Sequence, residues 1–128
     1  MTATVRTAAG TYLVDLVEEE VIGEAEPFEP ARVDVTLPRV VGAAASGSTV
    51  VALVDRRPPL ALSNDGGRTW REAGGGLPPG FAVAVDDDNP DVMLFAARNR
   101  LYLSENGGIF WRALVPEFAD IEAVAFVP

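Results

Sequence analysis

The 128-residue chain contains no cysteine, no histidine and no lysine. Without cysteine there can be no disulfide, no thiolate metal site and no thiol nucleophile. Without histidine there is no imidazole base and no side chain whose ordinary titration falls near neutrality. A metal site would have to be all-oxygen, of calcium or magnesium type. The residue pattern offers none, so neither metal nor cofactor is expected. All ten basic residues are arginine, and 19 acidic residues leave a net charge of −9. Such a surface repels nucleic-acid phosphates and anionic membranes, so neither is an expected partner. Long apolar runs are also missing: Tyr12-Leu13-Val14 stops at Asp15, too short for a signal core or a membrane span. A cytoplasmic location is the expectation.

Hydrophobic residues make up 48% of the chain and charged residues 23%, the balance of one globular domain with a real core. The apolar runs are short and separated by Gly, Pro, Asn and Asp, which predicts many short strands and few or no helices. One string occurs twice. Ser63-Asn64-Asp65-Gly66-Gly67-Arg68-Thr69-Trp70 returns 41 residues later as Ser104-Glu105-Asn106-Gly107-Gly108-Ile109-Phe110-Trp111. A period of this length marks a repeat architecture in which each repeat is one supersecondary unit.

Superposing the repeats at that offset predicts four strands per unit, lettered A to D. Strand A is Val40–Ala44, Phe81–Val85 and Glu122–Val127; strand B is Val50–Val54 and Val92–Ala96. Strand C is Leu60–Ser63 and Leu101–Ser104, and strand D is Thr69–Glu72 and Phe110–Ala113. The stretch Thr4–Val14 reads as strands B and C of an earlier, decayed repeat, with Glu18–Ile22 as its fourth strand and Glu18-Glu19-Glu20 as a solvated edge. Residues 24–32, with Pro27 and Pro30, read as an irregular connection. The domain therefore divides into a degenerate first repeat (1–39), a second (40–80), a third (81–121) and a closing strand (122–128).

The repeated string has a local physical purpose. A short acceptor such as Asp65 or Asn106 can bond backbone N–H groups further along the turn. Gly67 and Gly108 permit positive φ. Ser63, Ser104 and Thr69 can add hydroxyl bonds, and Trp70 and Trp111 offer a large apolar area to a neighbouring unit. Truncating such a buried Trp costs about 3–5 kcal/mol.

The pattern Ser63-x-Asp65-x-Gly67-x-Thr69-Trp70 resembles the Asp-box of BNR repeats, found in sialidases and other β-propellers. The second copy departs from it at Asn106 and Phe110. Ala84-Val85-Asp86, Asn89-Pro90-Asp91 and Leu101–Ser104 also look like the run leading into such a box. The resemblance covers residue 40 to the C-terminus well and the first 39 residues poorly. It implies an all-β propeller of four-stranded antiparallel blades, about three per chain. A propeller typically needs four to eight blades. Two chains would supply six, and the expectation is a homodimer in which each C-terminal strand enters the partner's first blade.

The resemblance also places ligands on the face opposite the boxes, where the loops carry Arg56, Arg57, Arg98 and Arg100. Four arginines there could hold a carboxylate or phosphate, or neutralise nearby acids. The expected partner is a protein or a small anionic ligand. Catalytic residues are not expected. The inner strands are small and apolar and cannot supply the paired carboxylates of a glycosidase. Tyr12 and Tyr102 lie in strands C, away from the centre where sialidases keep their tyrosine. Asp86-Asp87-Asp88 lacks the spacing of a calcium loop, and Gly74-Gly75-Gly76 lacks the lysine and helix of a phosphate loop. The reading is a non-catalytic binding or assembly module, and the alternative is a glycoside hydrolase of sialidase-like type. Removing Glu122–Pro128 should abolish both dimer and fold, which light scattering and circular dichroism check directly.

Overall fold

In the computed structural model, which describes residues 1–128, the chain forms twelve β-strands and no helix. They are β1 (Thr2–Thr7), β2 (Gly10–Asp15), β3 (Glu20–Glu24), β4 (Val40–Ser46), β5 (Thr49–Val54), β6 (Leu60–Ser63), β7 (Arg71–Ala73), β8 (Ala82–Val85), β9 (Met93–Ala96), β10 (Arg100–Ser104), β11 (Arg112–Glu117) and β12 (Ile121–Phe126). They build three four-stranded antiparallel blades. The second blade is β4-β5-β6-β7 and the third is β8-β9-β10-β11, both in chain order. The N-terminal blade is β12-β1-β2-β3, so its inner strand comes from the other end of the chain. The fold is thus an all-β assembly of propeller-type blades.

The expected exchange of the C-terminal strand is replaced by pairing within one chain. Strand β12 runs antiparallel to β1, with Val5 opposite Val124 and Ala3 opposite Phe126. The two ends of the chain meet in one blade. They meet because the N-terminal blade lies beyond the third blade, not before the second, so β8 packs between β4 and β12. Residues 25–39 then lead back to β4. Fifteen residues can reach roughly 50 Å when extended, enough to cross the fan. Arg6 anchors the start of this return. Its guanidinium donates to the Phe28 carbonyl, pairs with Glu29 at 2.9 Å and with Glu122 of β12 at 3.2 Å.

The third blade is buried on both faces, as strand alternation allows. Toward the N-terminal blade it presents Ala84, Leu94, Ala96, Leu101 and Leu103, which pack on Ala3, Val5, Val14, Leu16 and Val124. Toward the second blade it presents Val83, Val85, Met93 and Phe95, packed on Val51, Leu53, Leu60 and Leu62. Phe95 is fully buried and meets the rings of Tyr102 and Trp111 edge-on at 5.9 and 6.1 Å, the favoured geometry for aromatic quadrupoles.

The strict 41-residue period holds for strands C and D but not for A and B. Across the third blade Val83, Phe95 and Tyr102 are in register; across the second, Ala43, Ala52 and Ala61 are. The corresponding strands are therefore 40, 43 and 41 residues apart. Loop lengths explain the drift. The A–B turn is only Gly47-Ser48 in the second blade but 86–92 in the third, and the B–C loop shortens in return from 55–59 to 97–99. Strands D start two residues later than expected, at Arg71 and Arg112. The Thr69 and Phe110 N–H groups are drawn into the preceding turn instead.

Glu18-Glu19-Glu20 is not simply a solvated edge. Glu19, at φ 56°, turns inward across the blade gap. Its carboxylate accepts from Arg112 Nη1 at 2.7 Å and from the Val115 N–H at 2.9 Å. The N-terminal blade is thereby clamped to the outer strand of the third by two charge-assisted bonds.

Gly80, just before β8, is pressed onto the interface of the second and third blades. A Cβ there would lie 2.3 Å from Leu53 and 2.5 Å from Phe95. Gly80→Ala is expected to destabilise the fold by about 1–3 kcal/mol through overpacking, read as a lowered urea midpoint. An unchanged midpoint would contradict the tight fit.

Candidate functional site

The two repeated turns share one hydrogen-bonding plan. In the first, Ser63 is buried; its hydroxyl donates to Asp65 Oδ1 at 2.7 Å and accepts from the Gly67 N–H at 2.8 Å. Asp65 Oδ1 also accepts from the Thr69 N–H at 2.9 Å, and Oδ2 accepts from the Thr69 hydroxyl at 2.6 Å. In the second, Ser104 donates to Asn106 Oδ1 at 3.1 Å and accepts from the Gly108 N–H at 2.9 Å, while Asn106 Oδ1 accepts from the Phe110 N–H at 3.0 Å. Gly67 and Gly108 sit at φ 94° and 83°, where a Cβ is strained. Asn106 can replace Asp65 because one carbonyl-type oxygen carries the backbone contacts. Phe110 loses only the hydroxyl contact that Thr69 makes.

Each turn is also stitched to its own blade. Gly66 N–H donates to the Ser48 carbonyl and Gly107 N–H to the Asp91 carbonyl, both at 2.9 Å. The bonds from the Thr69 hydroxyl and N–H and from the Ser63 hydroxyl hold the Asp65 carboxyl well below the ordinary carboxylate range. The decayed turn of the N-terminal blade keeps a remnant: Asp15 Oδ1 accepts from Val17 and Glu18 N–H groups at 2.9 and 3.0 Å, and these bonds lower its pKa too. With their polar atoms committed to the turns, these residues are fold-building groups.

The two tryptophans part company. Trp111 packs into the cluster between the second and third blades and donates Nε1–H to the Gly108 carbonyl at 3.0 Å. A Cβ on Gly108 would meet Leu62 of the second blade at 2.6 Å. Trp70 belongs to neither buried cluster, and a Cβ on Gly67 would meet only the Trp70 ring, at 3.4 Å. The expectation that both tryptophans cover a neighbouring blade holds within this chain for Trp111 alone. The side of the second blade that carries Trp70 has no blade against it.

The four loop arginines do not form one cluster. Arg98 pairs with Asp120 at 2.9 Å, which raises its pKa. Arg100 Nε donates to the Leu114 carbonyl at 2.8 Å. Both therefore serve the third blade. Arg56 and Arg57 make neither an ion pair nor a side-chain hydrogen bond. They line a cavity of about 550 Å³ with Val41, Val54, Asp55, Pro59, Leu77, Pro79, Gly80 and Phe81. Sequence reasoning missed its apolar members. The only signal was the presence of Leu77 and Phe81 in a loop otherwise made of Gly and Pro.

A second, smaller cavity of about 260 Å³ runs along the three inner strands. Its walls are Ala43–Ala45, Val83–Val85 and Val124–Val127, with Pro30, Ala31 and Val33 of the returning segment. Its acidic side chains, Asp86, Asp87 and Asp88, all come from one connection. There they serve as a turn: the Asp86 carboxylate accepts from the Asp88 N–H at 3.0 Å, and the Asn89 side chain from the Asp91 N–H at 3.2 Å. No group of three or more acidic side chains is arranged to hold a metal ion.

No protein-family model and no curated protein matches the chain. Among solved structures it is similar to a GH74 enzyme of Niastella koreensis, at 22% identity and a TM-score of 0.49. That similarity covers 88% of this chain and 18% of that one, so the chain spans less than a fifth of the enzyme's length.

The Asp65 geometry sets a pH dependence. A depressed folded pKa contributes stability above the ordinary aspartate value near 4, and that contribution fades as pH falls below it. Asp65→Asn keeps an oxygen for the backbone contacts, loses the Oδ2 bond and no longer titrates. It should be less stable than the parent at neutral pH, with the difference shrinking toward about pH 2. Urea midpoints across that range measure it, and a pH-independent difference would contradict the assignment.

Proposed function

We propose that the protein is a non-catalytic module of the Asp-box, BNR-repeat type of β-propeller, and that it works by assembly. One observation carries this reading: no blade packs on the side of the second blade that bears Gly67 and Trp70. The matching residues of the third blade, Gly108 and Trp111, are packed against another blade. A repeat unit whose contact device is built but unmatched is a surface for a further blade. The small residues Ala43, Ala45, Ala52 and Ala61 lie on that side, since they alternate with Val51, Leu53, Leu60 and Leu62 along their strands; Ala52 and Ala61 are already buried within the chain, and Ala43 and Ala45 are half-buried.

The other end of the fan is the far side of the N-terminal blade, with Thr4, Thr11, Leu13, Ala123 and Ala125. Arg6, Phe28 and Glu29 occupy part of it. A second copy brings each of these ends against the other, repeating the contact that the third blade makes inside the chain. Two copies supply six blades under two-fold symmetry, which closes the ring without a free end. The apolar inner strands argue against hydrolysis, because both glycosidase mechanisms need two opposed carboxylates.

Light scattering at micromolar concentration should give twice the monomer mass. Trp70→Glu should give a folded monomer, whereas Trp111→Glu should unfold the chain. A monomeric parent overturns the assembly reading. Turnover of any fluorogenic glycoside would overturn the non-catalytic one.

A further inference from the structure

We infer that the cavity between the second and third blades is a binding site for a small organic monocarboxylate with an apolar body. The proposal does not depend on the assembly reading. The cavity floor is apolar and fixed: Val54 and Pro59 are buried at the base. One wall is held by the close approach of Gly80 to Leu53 and Phe95, which leaves no room for a Cβ. Its mouth keeps large apolar groups in water, with Val41 62% and Phe81 52% exposed. Leu77 completes this side. A volume of about 550 Å³ falls within the range of small-molecule sites, which are concave, largely apolar and pre-formed.

The charged groups set the ligand class. Arg56 and Arg57 are adjacent on the 55–59 loop and carry no protein acceptor, although the chain has 19 acidic residues to offer them. Every other loop arginine of the expected set has found one. A guanidinium pair of this kind presents planar forks suited to a carboxylate. Asp55 lines the same cavity. Two positive side chains and one negative leave a single net positive charge, which matches a monoanion and disfavours a phosphate dianion or a polyanion. The apolar floor and the exposed Phe81 ring then need an apolar body attached to that carboxylate, since burial of such surface is what adds affinity beyond ion pairing.

The test uses 4-phenylbutyrate as probe, with 4-phenylbutyramide, acetate and phenyl phosphate as comparisons, followed by ¹H–¹⁵N NMR of the whole protein. Saturable shifts are expected for 4-phenylbutyrate, confined to residues 54–59 and 77–81. The amide, acetate and phenyl phosphate should each bind at least about ten-fold more weakly. The double variant Arg56→Ala, Arg57→Ala should lose binding by a similar factor while the rest of its spectrum stays unchanged. The proposal is overturned by no saturable shift at millimolar probe, by equal affinity for acid and amide, or by a double variant that binds as the parent does. Tighter binding of acetate or phenyl phosphate than of the probe would show a plain anion site and overturn it equally.

Discussion

A four-stranded blade has two faces, and the third blade is apolar on both. Neither face can be left in water. Burial of one large aliphatic or aromatic side chain is worth about 1.5–3 kcal/mol, and this blade buries Leu94, Leu101 and Leu103 on one side and Met93 and Phe95 on the other. The rest of the molecule is arranged to meet that demand. The second blade covers one face and the N-terminal blade the other. The latter requirement pulls residues from both ends of the chain into a single sheet. The long return through 25–39 follows from it, because covering the far side of the third blade carries β3 away from β4.

The repeated turns contribute to this arrangement and not to a reaction centre. Their serine, aspartate or asparagine, and glycine residues close a tight loop whose polar atoms are mutually satisfied. That leaves the tryptophan and the second glycine to face the neighbouring blade. In the third blade this contact is made. In the second blade the same parts stand without a neighbour, which is why they read as an assembly surface. The chemistry-bearing loops lie elsewhere, and there the arginines divide by partner. Those with an acceptor in their own blade support the fold, and those without one line a cavity.

The blade plan, the strand positions in its strand-C series and the plan of the repeated turns were legible in the residues themselves. Leu60–Ser63 and Leu101–Ser104 are short apolar runs bounded by turn formers, so local patterning suffices to place them. The drift in strands A and B was not legible, since it depends on how many residues each hairpin loop absorbs. Glu19 was misjudged for a related reason. A run of three glutamates carries no mark of which one faces Arg112. The cavity was half legible: Arg56 and Arg57 stand out as a charged pair, but Val41 and Phe81 reach it from other parts of the chain.

Sequence by itself determined the local units: short strands, glycine-bearing turns that need positive φ, and an acidic surface without lysine, histidine or cysteine. These follow from neighbouring residues and from composition, and no distant contact is needed to produce them. Only the tertiary structure decided which unit stands beside which. Strand β12 could complete its own chain's first blade or a partner's with the same hydrogen bonds, and no side chain in Ile121–Phe126 distinguishes the two. The choice within one chain rests on the burial of the third blade's second face and on a connecting segment long enough to span the fan, both of which are properties of the folded whole.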